Sequence, residues 1–156
     1  MPRVSSIELL KRSKQPVLSI RTKTNLESLP MLIGESYGKI MSYLEEIGEF
    51  PSDIPFVAYY NMDMENLDVE MGFPVYKSLP GNEEIQSSYT PEMKVVYAMQ
   101  RGPYGDSEAI ATYEEMVKWI EENNLKQTGT MYEYYFNGPL DVDESELLTL
   151  MLLEVE

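Results

Sequence analysis

The sequence predicts an α+β fold: a strand-helix-strand-strand module occurring twice, with antiparallel sheets and a helix packed on one face of each. Three observations predict it. Helical periodicity fills two separate stretches, alternating or continuous apolar runs fill most of the rest, and one aromatic segment has an echo about 75 residues earlier. The echo sets Phe56-Val57-Ala58-Tyr59-Tyr60-Asn61 against Met131-Tyr132-Glu133-Tyr134-Tyr135-Phe136, with Tyr60 on Tyr135 and Ala58 on Glu133. Only the second copy carries an acid at that place. The expected arrangement is a pseudo-twofold duplication within a single domain spanning residues 1–156, with halves at about 4–78 and 84–156. The sheet face that the helices leave open is then available for a ligand groove where the halves meet.

In chain order, residues 4–10 alternate weakly and suit an edge strand, residues 11–15 are polar and basic and suit a loop, and residues 17–22 read as a strand. A polar connection over 25–30 leads to a helix from Gly34 to Ile47, where Tyr37, Ile40, Met41, Leu44 and Ile47 recur at helical spacing. Gly48 and then Pro51 end it. Residues 56–60 form the next strand, 61–68 an acidic turn and 69–75 its hairpin partner. Residues 79–86, with Pro80-Gly81-Asn82, read as a loop linking the halves.

The second half repeats the plan. Residues 93–99 form a strand and 101–105 a turn. A helix over 107–123 follows, with Ile110, Tyr113, Met116, Val117 and Ile120 on one face and Asp106 or Ser107 as its N-cap. The aromatic strand over 132–136 stops at Asn137-Gly138-Pro139. An acidic loop and a last strand over 147–155 close the chain.

Composition excludes several classes of function. Lys+Arg 12 against Asp+Glu 27 gives a net charge of −15, which repels nucleic acid phosphates and biases small partners towards cations. With no Cys and no His, disulfides, thiolate nucleophiles, zinc sites and His-based triads are out of reach, and no cofactor or metal is expected. Residues 1–6 lack the apolar core of a leader, and the longest apolar run, 147–155, is broken by Thr149 and Glu154. A cytoplasmic chain with no membrane partner is expected.

Strand alternation puts Met131, Glu133 and Tyr135 on one side and Tyr132, Tyr134 and Phe136 on the other. Glu133 is then a carboxylate in an aromatic setting, costly unless something positive or hydrogen-bonding meets it. Twelve Tyr and eleven Met supply flat, adaptable surface for stacking and cation–π contact. Most of these are expected to be core, as are Met41, Tyr43 and Trp119. Adjacent acids such as Glu45-Glu46 and Glu121-Glu122 read as solvated surface.

The two copies, the turn Gly102-Pro103-Tyr104 before the second helix, the segment Asp68-Val69-Glu70-Met71-Gly72-Phe73-Pro74-Val75 and the run Tyr132-Glu133-Tyr134-Tyr135-Phe136-Asn137-Gly138-Pro139 together resemble the GyrI-like effector-binding domain. The resemblance covers about residues 4–155. It implies a ligand groove whose acid is Glu133 and whose aromatic is Tyr135, with Tyr60 as counterpart of Tyr135. By position in the chain, Ala58, Met131 and Tyr104 are also expected to bind the ligand. Gln100 and Arg101 stand where family members often carry His.

The expected function is that of a stand-alone cytosolic binder of amphipathic, cationic aromatic small molecules, with no basic helical extension for DNA. One alternative is a hydrolase of strained, cyclopropane-bearing electrophiles that uses Glu133 with Tyr135. Another is an acidic protein-interaction inhibitor of DNA gyrase type.

Overall fold

The computed structural model describes residues 3–156; Met1 and Pro2, where the leader reading begins, lie outside the described residues. The elements in chain order are β1 (Glu8–Arg12), β2 (Gln15–Thr24), α1 (Leu29–Glu46), β3 (Phe56–Tyr59), β4 (Leu67–Pro74) and β5 (Gln86–Thr90). They are followed by β6 (Met93–Arg101), α2 (Ser107–Glu122), β7 (Gln127–Tyr135), a 3-10 turn at Glu144–Glu146, and β8 (Leu148–Val155). The described residues form two compact units, one of Ser13–Glu92 and one of Met93–Glu156 with residues 3–12. No helix among the described residues is long and apolar enough to cross a membrane.

In the Ser13–Glu92 unit the strands are antiparallel in the order β3-β4-β2-β5. Leu18 lies opposite Phe73 and Ile20 opposite Met71. Leu18, Phe73 and Val75 receive Ile40 and Leu44 of α1, with Ile20, Tyr37 and Ile47 packed at the margin. This i, i+3, i+7 stripe is the one the periodicity marks. The helix begins a turn earlier than Gly34, because Pro30 fits the first turn, where no backbone N–H is required. Met41, expected in the core, is 43% exposed, and Tyr43 donates its hydroxyl to the Pro80 carbonyl at 2.7 Å.

In the other unit the order is β1-β6-β8-β7, again antiparallel. Val96, Ala98, Met151, Leu153 and Val155 form the surface on which Met116 and Ile120 of α2 sit, with Tyr113, Val117 and Trp119 beside them. Asp106 is the N-cap, its Oδ1 accepting from the Ala109 N–H at 2.8 Å. Ile110, placed on the buried face by its spacing, is instead 52% exposed.

The two units share one strand order, but their boundaries differ from 4–78 and 84–156. β1 continues directly into β2 yet pairs with β6; β5 continues directly into β6 yet pairs with β2. The strand β5 begins where the expected loop over 79–86 ends, in a stretch for which no strand was expected. Its residues Gln86-Ser87-Ser88-Tyr89-Thr90 bury only Thr90, so it carries no hydrophobic pattern and is held by backbone pairing at the sheet edge.

Candidate functional site

The aromatic strand β7 pairs antiparallel with β8. Glu133 is opposite Met151, itself opposite Ala98; Tyr135 is opposite Thr149, itself opposite Gln100. Residues directly opposite one another in antiparallel strands point the same way. Glu133 therefore shares its face with Met151 and Ala98, both in the core beneath α2, and Met131 packs against that core directly. The candidate carboxylate is on the helix-covered face, not on the open one the sequence suggested. The reason lies in the alternate residues: Tyr132 and Tyr134 are 2% and 3% exposed, and Arg12 is stacked 4.8 Å over the Tyr134 ring, so the reverse face is closed.

Around Glu133 the side chains form a graded setting. The Tyr135 hydroxyl donates to Glu133 Oε1 at 2.9 Å. Tyr104 meets Tyr135 edge to face, ring centroids 5.4 Å apart at 71°. Glu133 and Tyr135 are half-buried, while Tyr104 stays 47% exposed. Burial, followed by the negative charges of Glu133 and Asp141, raises the Tyr104 phenol above its ordinary range. Further along the same face, Gln100 Oε1 accepts from the Thr112 hydroxyl of α2 at 2.5 Å, and Gln100, Thr112 and Thr149 are all buried.

Local chemistry positions Tyr104. Gly102 takes φ 123°, which a side chain would disfavour, and its N–H donates to the Leu147 carbonyl at 2.8 Å. That bond ties the turn before α2 to the segment leading into β8. Pro103 then delivers Tyr104 beside the end of β7.

The expected counterparts in the other unit lie elsewhere. Ala58 is opposite Glu70 and, with Tyr60, on the face away from α1; Val57 and Tyr59, opposite Met71 and Val69, are on the α1 face. Judged by face, Tyr59 answers to Tyr135 and Val57 to Glu133, one residue out of step with the echo. A one-residue shift of this kind moves every side chain to the other side.

On that other face stands a carboxylate the sequence reading did not single out. Glu70, 9% exposed, accepts from the Ser19 hydroxyl on Oε2 and the Tyr60 hydroxyl on Oε1, each at 2.5 Å. Arg21 lies over the Tyr60 ring, Cζ 4.0 Å from its centroid, and pairs with both oxygens of Asp68 at 3.0 and 2.9 Å. The signal was present: Glu70 is a lone acid between Val69 and Met71, just as Glu133 is a lone acid among aromatics. A separate surface cleft of about 650 Å³, between α1 and residues 82–85, contains none of these residues.

The sequence pattern of the GyrI-like small molecule binding domain matches residues 5–156. No curated protein matches the chain by sequence. Among solved structures, EcmrR in a complex with DNA superposes with a TM-score of 0.82 at 22% identity, covering 97% of this chain and 57% of that one. The chain thus spans little more than half of that relative. The EcmrR C-terminal domain alone gives 0.75 at 21% identity, with 98% of each chain covered. A hydrolase from Listeria innocua gives 0.73 at 14% identity, with coverage of 97% and 92%. SAV2435 bound to tetraphenylphosphonium gives 0.63 at 9% identity, with coverage of 97% and 94%. At these identities the likeness is one of fold.

Proposed function

This chain belongs to the GyrI-like small molecule binding family, and from that premise we propose that Glu133, Tyr135 and Tyr104 bind an amphipathic aromatic cation, with Met131 as apolar support. The observation that carries the reading is the half-buried carboxylate 2.9 Å from one tyrosine hydroxyl, with a second tyrosine ring set edge-on to the first. A cation against these rings gains from their π faces and from the nearby charge, and partial burial strengthens both effects. Tyrosine and methionine adapt to many flat ligands, which suits broad rather than exclusive recognition. Ala58 and Tyr60, on the face away from α1, do not enter this reading.

The test is a titration of tetraphenylphosphonium into wild type and Glu133→Gln. Removing the charge while keeping the shape is expected to weaken binding at least tenfold, about 1.4 kcal/mol. Equal affinity in the two proteins, or no binding by wild type, would sink the proposal.

A hydrolase is the second reading, favoured by one feature. Glu133 holds the Tyr135 hydroxyl at 2.9 Å, a carboxylate–phenol pair that can orient a water and pass a proton. Product formation from a strained electrophile, lost in Tyr135→Phe, would distinguish turnover from binding.

A further inference from the structure

The cluster around Glu70 has the composition of a recognition site, and its occupant is part of the chain. Tyr60 is held through its hydroxyl by Glu70, and Glu70 is held from behind by Ser19, which is fully buried. The Tyr60 ring carries the Arg21 guanidinium at 4.0 Å, and Asp68 grips the guanidinium through two parallel N–H···O bonds. An aromatic face, a two-pronged carboxylate and a second carboxylate at the ring's hydroxyl suit recognition of a planar cation.

We propose that Tyr60, Asp68 and Glu70 form a second planar-cation seat that Arg21 fills as an internal ligand, so that an external guanidinium enters only when Arg21 leaves.

Two features make Arg21 an occupant. Its side chain is 45% exposed, so the guanidinium sits at the solvent edge and can depart without opening the core. The parts of the seat that give it shape do not depend on Arg21: the Ser19–Glu70 and Tyr60–Glu70 bonds link β2, β4 and the end of β3 by themselves. Charge acts in the same direction. The Asp68 hydrogen bond, with smaller contributions from Tyr60 and Glu70, holds Arg21 above its usual range, and Arg21 holds Asp68 below its own. Deleting Arg21 leaves two carboxylates beside a half-buried ring, an arrangement that attracts a replacement cation. The seat lies within one unit and does not rest on the Glu133 reading; either can fail without the other.

The probe is methylguanidinium, titrated into wild type, Arg21→Ala and Arg21→Ala/Asp68→Asn with carbon-13-labelled tyrosine. The Tyr60 ring signal is identified by its loss in Tyr60→Phe. In Arg21→Ala that signal is expected to shift saturably, at least tenfold tighter than in the double variant, while in wild type it does not saturate over the same range. The same outcome is expected with Glu133→Gln added, which separates this seat from the other site. A Tyr60 response in Arg21→Ala no different from wild type, or unchanged by Asp68→Asn, overturns the proposal. Should Arg21→Ala not fold, Arg21→Gln is titrated in its place. Loss of fold in both, unrelieved by methylguanidinium, makes Arg21 a strut and equally overturns it.

Discussion

Replacing Glu70 with Ala probes a buried carboxyl group whose partners no single stretch of sequence brings together. The change strands two hydroxyls unequally. Ser19 is 0% exposed and cannot turn to water, so it bears the full cost of an unsatisfied buried donor, about 1–3 kcal/mol. Tyr60 is half-buried and can recover hydration, so its loss is smaller, roughly 0.5–1 kcal/mol. Loss of the buried methylene adds about 0.8 kcal/mol, partly offset because a carboxylate no longer has to be desolvated. The sum is about 2–4 kcal/mol of destabilisation, read by urea unfolding with an unchanged slope. Glu70→Gln keeps one acceptor and should lose half of this or less. The sharper check is Ser19→Ala added to Glu70→Ala. It removes the stranded hydroxyl and is expected to return about 1 kcal/mol. A Glu70→Ala protein within about 0.5 kcal/mol of wild type, or a double variant less stable than the single one, would refute the reasoning.

Further outcomes follow from the same geometry. A Cβ at Gly72 would lie 2.4 Å from the Leu18 carbonyl oxygen and 2.8 Å from Ser19 Cβ, so Gly72→Ala forces β2 and β4 apart. A loss of roughly 1–3 kcal/mol is expected by the same unfolding assay, and a neutral result would contradict the close approach. Tyr104 should titrate later than an ordinary tyrosine, and Glu133→Gln should bring it back towards normal, because one of the charges opposing its ionisation is gone. A folded-state phenol raised in this way contributes stability that is fully present below the unfolded value, about 10, and is lost as pH rises through the folded one. An NMR titration of labelled tyrosine reads both, and a Tyr104 midpoint unmoved by Glu133→Gln would remove the charge coupling between them.

Periodicity made some parts of the molecule legible and left others silent. The stripe of Ile40 and Leu44 and the stripe of Met116 and Ile120 were readable because a helix repeats its buried face every 3.6 residues. Glu133 was readable because an acid inside an aromatic strand must find a partner, and its partner Tyr135 is two residues away on the same side. Glu70 carried the same local signal, but its meaning depends on Ser19, 51 residues earlier, and Tyr60, 10 residues earlier. No local pattern brings those three together. The strand β5 was silent for another reason: an edge strand of exposed, mostly polar residues is made by backbone pairing, which leaves no hydrophobic pattern to read.

The echo between the two copies marks the division between the two kinds of information. Matching letters placed Tyr60 on Tyr135, since a Tyr-Tyr pair follows two residues after Val57 and Tyr132 alike, although β3 ends at Tyr59 and β7 at Tyr135. Letters do not record which way a strand's side chains point. That is settled by its partner, and β4 puts Tyr59 beside Val69 on the α1 face and Tyr60 on the reverse, beside Glu70 and Arg21. The sequence by itself determined the α+β class, the two helices with their buried stripes, the order of most strands and the acid at Glu133, because each is written in the spacing of neighbouring residues. Only the tertiary structure decided that Glu133 lies on the helix side, that β1 and β5 pair away from their chain neighbours, and that Arg21 already occupies Tyr60. Each of these depends on pairing register, where a shift of a single residue reverses every face.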